Sequence, residues 1–121
     1  MYSKRLLQMS VVYLIVGILF GLGMGMTQKF TLAAAHAHLN LLGWASMALM
    51  ALIYKAYPEA SQTVLAKVHF WMHSVGLPPL MIALSVLLLG NAAAGPFVGV
   101  FSLITGIGVI AFCVNMLRFI R

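Results

Sequence analysis

Three long stretches without Asp, Glu, Lys or Arg constrain this sequence more than any other feature. They cover residues 6–28, 30–54 and 68–117 and contain 23, 25 and 50 residues. A membrane-spanning helix needs about 20 apolar residues, so the first two stretches each suffice for one span and the third for two. Residues 90–96 place turn-forming Gly, Asn and Pro near the middle of the third stretch. The sequence therefore predicts an all-α membrane protein with four transmembrane helices.

We place these helices at about residues 6–27, 31–57, 63–89 and 97–119, in a single domain that covers residues 1–121. Only 7% of the residues are charged, whereas a soluble domain is about a quarter charged. The first apolar stretch is longer than the usual core of a signal peptide, so no cleaved leader is expected. Cys113 is the only cysteine, which excludes a disulfide framework and a thiolate metal site.

The basic residues predict the orientation in the membrane. Six of the seven fall on one side of the predicted helices, and Lys29 falls on the other. Because cytoplasmic loops are enriched in Lys and Arg, both termini are predicted to be cytoplasmic in a bacterial inner membrane. This distribution explains the net charge of +6 without a nucleic-acid partner. The six residues are Lys4, Arg5, Lys55, Lys67, Arg118 and Arg121.

Two histidines, His36 and His38, lie inside the second predicted helix. An ionisable side chain within the membrane is costly without a partner, which makes it a candidate functional residue. At about 100° per helical residue the two side chains point about 200° apart, so they cannot bind one metal ion together. Each can bind a separate large cofactor instead. Heme is the obvious candidate, because its iron accepts one imidazole on each face.

A second pair, His69 and His73, shares one face of the third predicted helix at i, i+4 spacing. This spacing can chelate a metal ion, but two ligands make an incomplete site, and no acidic residue or further histidine accompanies them. The favoured interpretation is two packed or hydrogen-bonded histidines near the cytoplasmic side. Helix rise places them at a different depth from His36 and His38, so the two pairs are not expected to share an iron.

The first predicted helix carries Gly17, Gly21 and Gly25 at four-residue intervals. Such a stripe of small residues allows another helix to approach closely. Packing within the chain is the favoured interpretation, and an interface between copies is the alternative.

Two stretches resemble the catalytic subunit of heme–copper oxidases and nitric oxide reductases. Residues 34–38, Ala-Ala-His-Ala-His, resemble the tenth-helix motif of that family, whose two histidines bind two different hemes. Residues 65–70, Leu-Ala-Lys-Val-His-Phe, resemble the start of its eleventh helix. The likeness covers about residues 32–79, and the order and separation of the two motifs also agree. Extended over the whole chain, it corresponds to helices nine to twelve.

The resemblance implies an assembly and a cofactor. The family subunit has twelve helices in three arcs of four, so this chain resembles one arc and a homotrimer would rebuild the ring. The implied cofactor is heme b. We extend the analogy by expecting His36 of one copy and His38 of its neighbour to be the iron ligands. Asn40 and Lys29 are further candidate cofactor-binding residues, and a quinol or a cytochrome is the implied electron donor.

The chain also departs from the family pattern. The loop between the third and fourth helices lacks the arginine pair that usually binds the heme propionates. Glu59, the only acidic residue, lies in the cytoplasmic loop, so no intramembrane acid is available for a proton channel. No separate trio of copper-binding histidines is present, so copper is not expected. These departures disfavour oxygen reduction coupled to proton pumping.

The favoured function is a heme b-binding membrane cytochrome with bis-histidine iron, in electron transfer or a gas-related redox reaction. The first alternative is an oxidoreductase of the oxidase or nitric oxide reductase type, with an open iron position that binds or reduces nitric oxide or oxygen. Further alternatives are a small four-helix transporter and an assembly subunit without a cofactor. Catalytic residues are not assigned by the sequence.

Overall fold

The computed structural model describes residues 1–120, and four long helices dominate this part of the chain. The helices are α1 (Tyr2–Thr27), α2 (Ala33–Ala56), α3 (Val64–Leu88) and α4 (Gly95–Phe119), with short 3-10 helices at Pro58–Gln62 and Ala92–Ala94. All four regions are long and apolar enough to cross a membrane. The predicted four-helix architecture is thereby confirmed. Arg121, one of the six basic residues named above, lies outside the described residues.

The connections between the helices follow from local chemistry. The Thr63 side chain caps α3, because its Oγ1 accepts a hydrogen bond from the Ala66 N–H at 3.0 Å. Gly90 adopts φ +104° in the turn before α4, a conformation that favours glycine. Pro96 stands in the first turn of α4, where its missing N–H costs no helical hydrogen bond. The turn predicted at residues 90–96 is therefore present.

The four helices alternate in direction and bring five basic residues to one end. Ser3 Oγ donates to the Ala51 carbonyl at 2.8 Å, which joins the start of α1 to the end of α2. Asn115 Nδ2 donates to the Ala60 carbonyl at 2.8 Å, which joins the end of α4 to the α2–α3 connection. We call the end of the bundle that contains both of these contacts the terminal end. It carries Lys4, Arg5, Lys55, Lys67, Arg118 and also Glu59, whereas Lys29 lies at the opposite end.

Helix pairs form most of the packing. α1 packs along α2, and α3 packs along α4. α3 and α4 approach closely because Gly108 has no side chain: a Cβ there would lie 2.8 Å from the backbone nitrogen of His73. The largest fully buried side chains include Tyr54, Leu6, Met47 and Leu77. Many leucine and isoleucine side chains are exposed on the outside of the bundle, which is consistent with helices that cross a membrane.

α2 contains an irregularity that the sequence analysis did not predict. Its backbone is α-helical over Ala33–His38, π-helical over Leu39–Ala45 and α-helical again over Ser46–Ala56. The Ser46 N–H bonds to the Leu41 carbonyl, which is the i→i−5 pattern of a π-helix. We call Leu39–Ala45 the π segment. It begins directly after His38, and π-bulges occur frequently at functional sites.

Candidate functional site

His36 points toward α1. Its Nδ1 lies 2.7 Å from the Gly17 carbonyl oxygen, and its ring is half-buried. A Cβ at Gly21 would come within 2.9 Å of the ring carbon Cε1. The missing side chain of Gly21 therefore provides the space that the imidazole occupies, and the backbone of α1 supplies its hydrogen-bond partner.

Asn40 packs beside His36, one turn further along α2. Its Nδ2 donates to the His36 carbonyl at 3.0 Å, and its Oδ1 occupies the space that a Cβ at Gly17 would need. Gly17 and Gly21 thus serve packing within the chain, which confirms the favoured interpretation for those two positions. Around Gly25 the space is open within 4 Å. The glycine stripe is therefore an internal contact over only part of its length.

His38 points to a different side of the bundle and is exposed. Its ring lies at the edge of a groove of about 360 Å³, which we call the His38 groove. The groove is lined by residues of α2, α3 and α4, namely His38, Leu42, Leu80, Ser102, Thr105, Gly106, Val109 and Ile110. His36 and His38 therefore diverge, as helix geometry predicts.

One feature is common to both rings: Nδ1 is bonded to a backbone carbonyl. For His38 the acceptor is the Ala34 oxygen at 2.7 Å, and for His36 it is the Gly17 oxygen. A carbonyl oxygen can only accept, so the proton of each neutral ring is on Nδ1. Nε2 then carries the lone pair, which is the form in which an imidazole binds a metal. Each ring therefore has its lone pair on Nε2, and in His36 the Asn40 Nδ2 lies 3.5 Å from that atom.

Lys29 is exposed in the connection between α1 and α2. It lines a separate groove at the end opposite the terminal end, together with Thr31, Leu32 and Leu89. The structure does not bring it into the His38 groove. Its assignment to the cofactor site stays a prediction.

The second histidine pair lies in the interior, and His69 and His73 are both 0% exposed. The Tyr54 hydroxyl lies 2.9 Å from His69 Nδ1, His69 Nε2 lies 3.2 Å from His73 Nδ1, and His73 Nε2 lies 3.0 Å from the Leu42 carbonyl oxygen. All four ring nitrogens are engaged. The interpretation of packed, hydrogen-bonded histidines is confirmed.

These contacts show which groups suit a cofactor. Within residues 1–120, no cluster of three or more His, Cys, Asp or Glu side chains could hold a metal ion. The donor set at His36 and His38 is two single imidazoles with separate directions. That set fits the axial positions of heme iron, each of which takes one imidazole, and does not fit a chelated ion. Because the two rings face different sides, they would not meet at one iron within a single chain.

Sequence reasoning missed three parts of this arrangement: the Gly17 carbonyl, the Tyr54 hydroxyl and the π segment. The four-residue glycine spacing indicated close helix approach but not which side chain would fill the space.

A scan against protein-family models, a search of curated proteins and a search of solved structures each found no match.

Proposed function

We propose that this chain is a heme b-binding membrane cytochrome in which His36 and His38 are axial iron ligands. The observation that carries the proposal is the pairing of each Nδ1 with a backbone carbonyl, at 2.7 Å in both rings. Histidines that bind metals characteristically donate the other ring N–H to such an acceptor, which fixes the tautomer and the ring orientation. These two rings, which lie two residues apart in the sequence, share this arrangement and face different sides.

The exposure of His38 supports the same conclusion. Its imidazole lies on the outside of an apolar bundle, where hydrocarbon offers no partner for Nε2. Burying a polar group without a partner is unfavourable, and intramembrane ionisable groups mark functional sites. Coordination of iron removes this cost and at the same time covers the His38 groove.

The proposed assembly is a homotrimer. Because the two rings diverge, each heme takes His36 from one copy and His38 from its neighbour. Contacts of this heterologous kind close into rings, and the resemblance to a threefold arrangement of four-helix arcs makes three the proposed number. The positive-inside rule places the terminal end, and with it both termini, in the cytoplasm of a bacterial inner membrane.

The chain's own residues orient the cofactor, and the bound heme supplies one-electron chemistry. Gly17 and Ala34 orient the rings through their carbonyls, while Asn40 and Gly21 confine His36 from the side. Lys29, at the end opposite the terminal end, is the proposed partner for a propionate. A quinol or a cytochrome is the proposed electron donor, and copper is not expected.

A second candidate function is a heme protein with an open iron position that binds or reduces nitric oxide or oxygen. It is favoured by the difference between the two rings, since His36 is confined against α1 whereas His38 is exposed. Iron bound by His38 alone would keep one face free for a diatomic gas.

The test is a pyridine-hemochrome assay and an optical spectrum of the purified full-length protein. The cytochrome proposal predicts bound heme b with low-spin bands that do not respond to carbon monoxide. High-spin bands that respond to carbon monoxide would favour the second candidate. A colourless protein that takes up no added heme would overturn both.

A further inference from the structure

A buried chain of hydrogen bonds crosses three parts of the fold. It runs from Tyr54 in the second α-helical part of α2, through His69 and His73 in α3, to the Leu42 carbonyl in the π segment. Tyr54 is 1% exposed, and the ring of Phe112 packs against both Tyr54 and His69, at 5.3 Å and 5.1 Å between ring centroids. The chain is therefore sealed from the lipid by neighbouring side chains.

The Leu42 carbonyl fixes the direction of every bond in this chain. A carbonyl oxygen only accepts, so His73 donates from Nε2 and accepts at Nδ1. His69 must then donate from Nε2 and accept at Nδ1, and Tyr54 must donate its hydroxyl proton. Both histidines are neutral in this arrangement, and every side-chain polar atom of Tyr54, His69 and His73 has a hydrogen-bond partner. Because the donor and acceptor roles of each side chain determine those of its neighbour, replacing one of the three side chains leaves a buried polar group without a hydrogen bond.

The π segment is held from two sides. On the α1 side, Asn40 fills the space at Gly17, and the ring of Tyr13 occupies the space that a side chain at Gly43 would need. On the α3 side, His73 bonds to the Leu42 carbonyl. A π-helix has a wide turn and is rarely stable by itself. Contacts from neighbouring helices are therefore what stabilises this turn.

The Leu42 position connects this chain to the proposed heme site. Leu42 follows His38 by four residues, about one helical turn, and both line the His38 groove. A change in the backbone at Leu42 alters the direction in which the preceding turn presents His38.

We propose that Tyr54, His69 and His73 are positioning residues that hold the π segment and thereby orient His38 toward its iron. The role of His38 rests on the proposed function, whereas the effect on the π segment does not. These three residues act through the backbone of α2 and do not bind the cofactor themselves.

The experiment compares four variants by amide hydrogen exchange of the full-length protein in detergent, without added heme. His73→Leu removes the bond to Leu42, and His73→Gln offers a carboxamide that can donate to Leu42 and accept from His69. Tyr54→Phe removes only the hydroxyl at the far end of the chain. Val75→Ala, at an exposed position of α3, is the matched control.

The proposal predicts that exchange across residues 39–47 becomes about tenfold faster in His73→Leu, as the loss of one buried hydrogen bond implies. His73→Gln and Val75→Ala should keep the wild-type rate, and Tyr54→Phe should show a smaller acceleration. Unchanged exchange in Tyr54→Phe and His73→Leu, or equal acceleration in His73→Gln and His73→Leu, would overturn the proposal. If His73→Leu does not fold, Tyr54→Phe alone decides.

A second readout separates this proposal from the heme proposal. In heme-loaded protein, His73→Leu should keep a six-coordinate low-spin heme but shift its electron paramagnetic resonance g-values, and His73→Gln should restore them. If the wild-type protein binds no heme, the heme proposal fails while the exchange result still tests the hold on the π segment. Accelerated exchange with unchanged g-values would overturn the orienting role of the three residues.

Discussion

Gly21→Ala should destabilise the protein through the contact between α1 and His36. The added Cβ would lie 2.9 Å from the ring carbon Cε1, against about 3.4 Å in ordinary van der Waals contact, so the ring must move by about 0.5 Å. This movement disturbs the 2.7 Å bond between His36 Nδ1 and the Gly17 carbonyl. Overpacking of this kind costs about 1–3 kcal/mol.

The matched control is Gly25→Ala, one turn along the same helix, where the space around the glycine is open within 4 Å. Alanine stabilises a helix interior by about 0.5–1 kcal/mol relative to glycine. Because that gain applies to both variants, it cancels in the comparison. Gly21→Ala should therefore be less stable than Gly25→Ala by about 1–3 kcal/mol.

Unfolding by sodium dodecyl sulfate, followed by circular dichroism, measures this difference. Heme content provides a second comparison, since a displaced His36 should bind heme more weakly in Gly21→Ala than in Gly25→Ala. Equal unfolding midpoints and equal heme content for the two variants would refute the fit between Gly21 and His36.

Three further predictions follow from the same contacts. His36→Ala and His38→Ala should each severely reduce heme content in a pyridine-hemochrome assay, and full low-spin heme in both variants would exclude them as ligands. Thr63→Ala should lower the free energy of unfolding by about 1–2 kcal/mol, because Oγ1 caps α3 and donates to Asn115 Oδ1 at 2.9 Å. Thr63→Ser keeps the hydroxyl and should retain most of the wild-type free energy of unfolding. In a Cys113→Ala background, Ser61→Cys should react with a membrane-impermeant maleimide only in inverted vesicles, and the opposite accessibility would reverse the predicted orientation.

The sequence predicted the spans well because bilayer thickness sets a length that uncharged stretches must match. Helix ends were less exact: α1 begins at Tyr2 rather than at residue 6. The reason is that polar and charged residues at a membrane surface can continue a helix beyond its apolar part. Divergence of His36 and His38 was also predictable, since it depends only on the rotation per residue.

The π segment was not predictable from hydrophobic periodicity. Its stability comes from partners that are distant in sequence, such as Tyr13 against Gly43 and His73 against Leu42. For His69 and His73, the i, i+4 spacing is compatible with a chelated ion and with a hydrogen-bonded pair. Only the positions of Tyr54 and the Leu42 carbonyl decide between the two, and those positions are set by tertiary packing.

Native mass spectrometry of the heme-loaded, full-length protein tests the central claim most directly. That claim is that each heme is held between two copies of the chain, by His36 of one and His38 of the next. It predicts a complex of three chains with three hemes, which loses its hemes and dissociates together when either histidine is replaced by alanine. A monomer or a dimer that keeps a six-coordinate heme would contradict it.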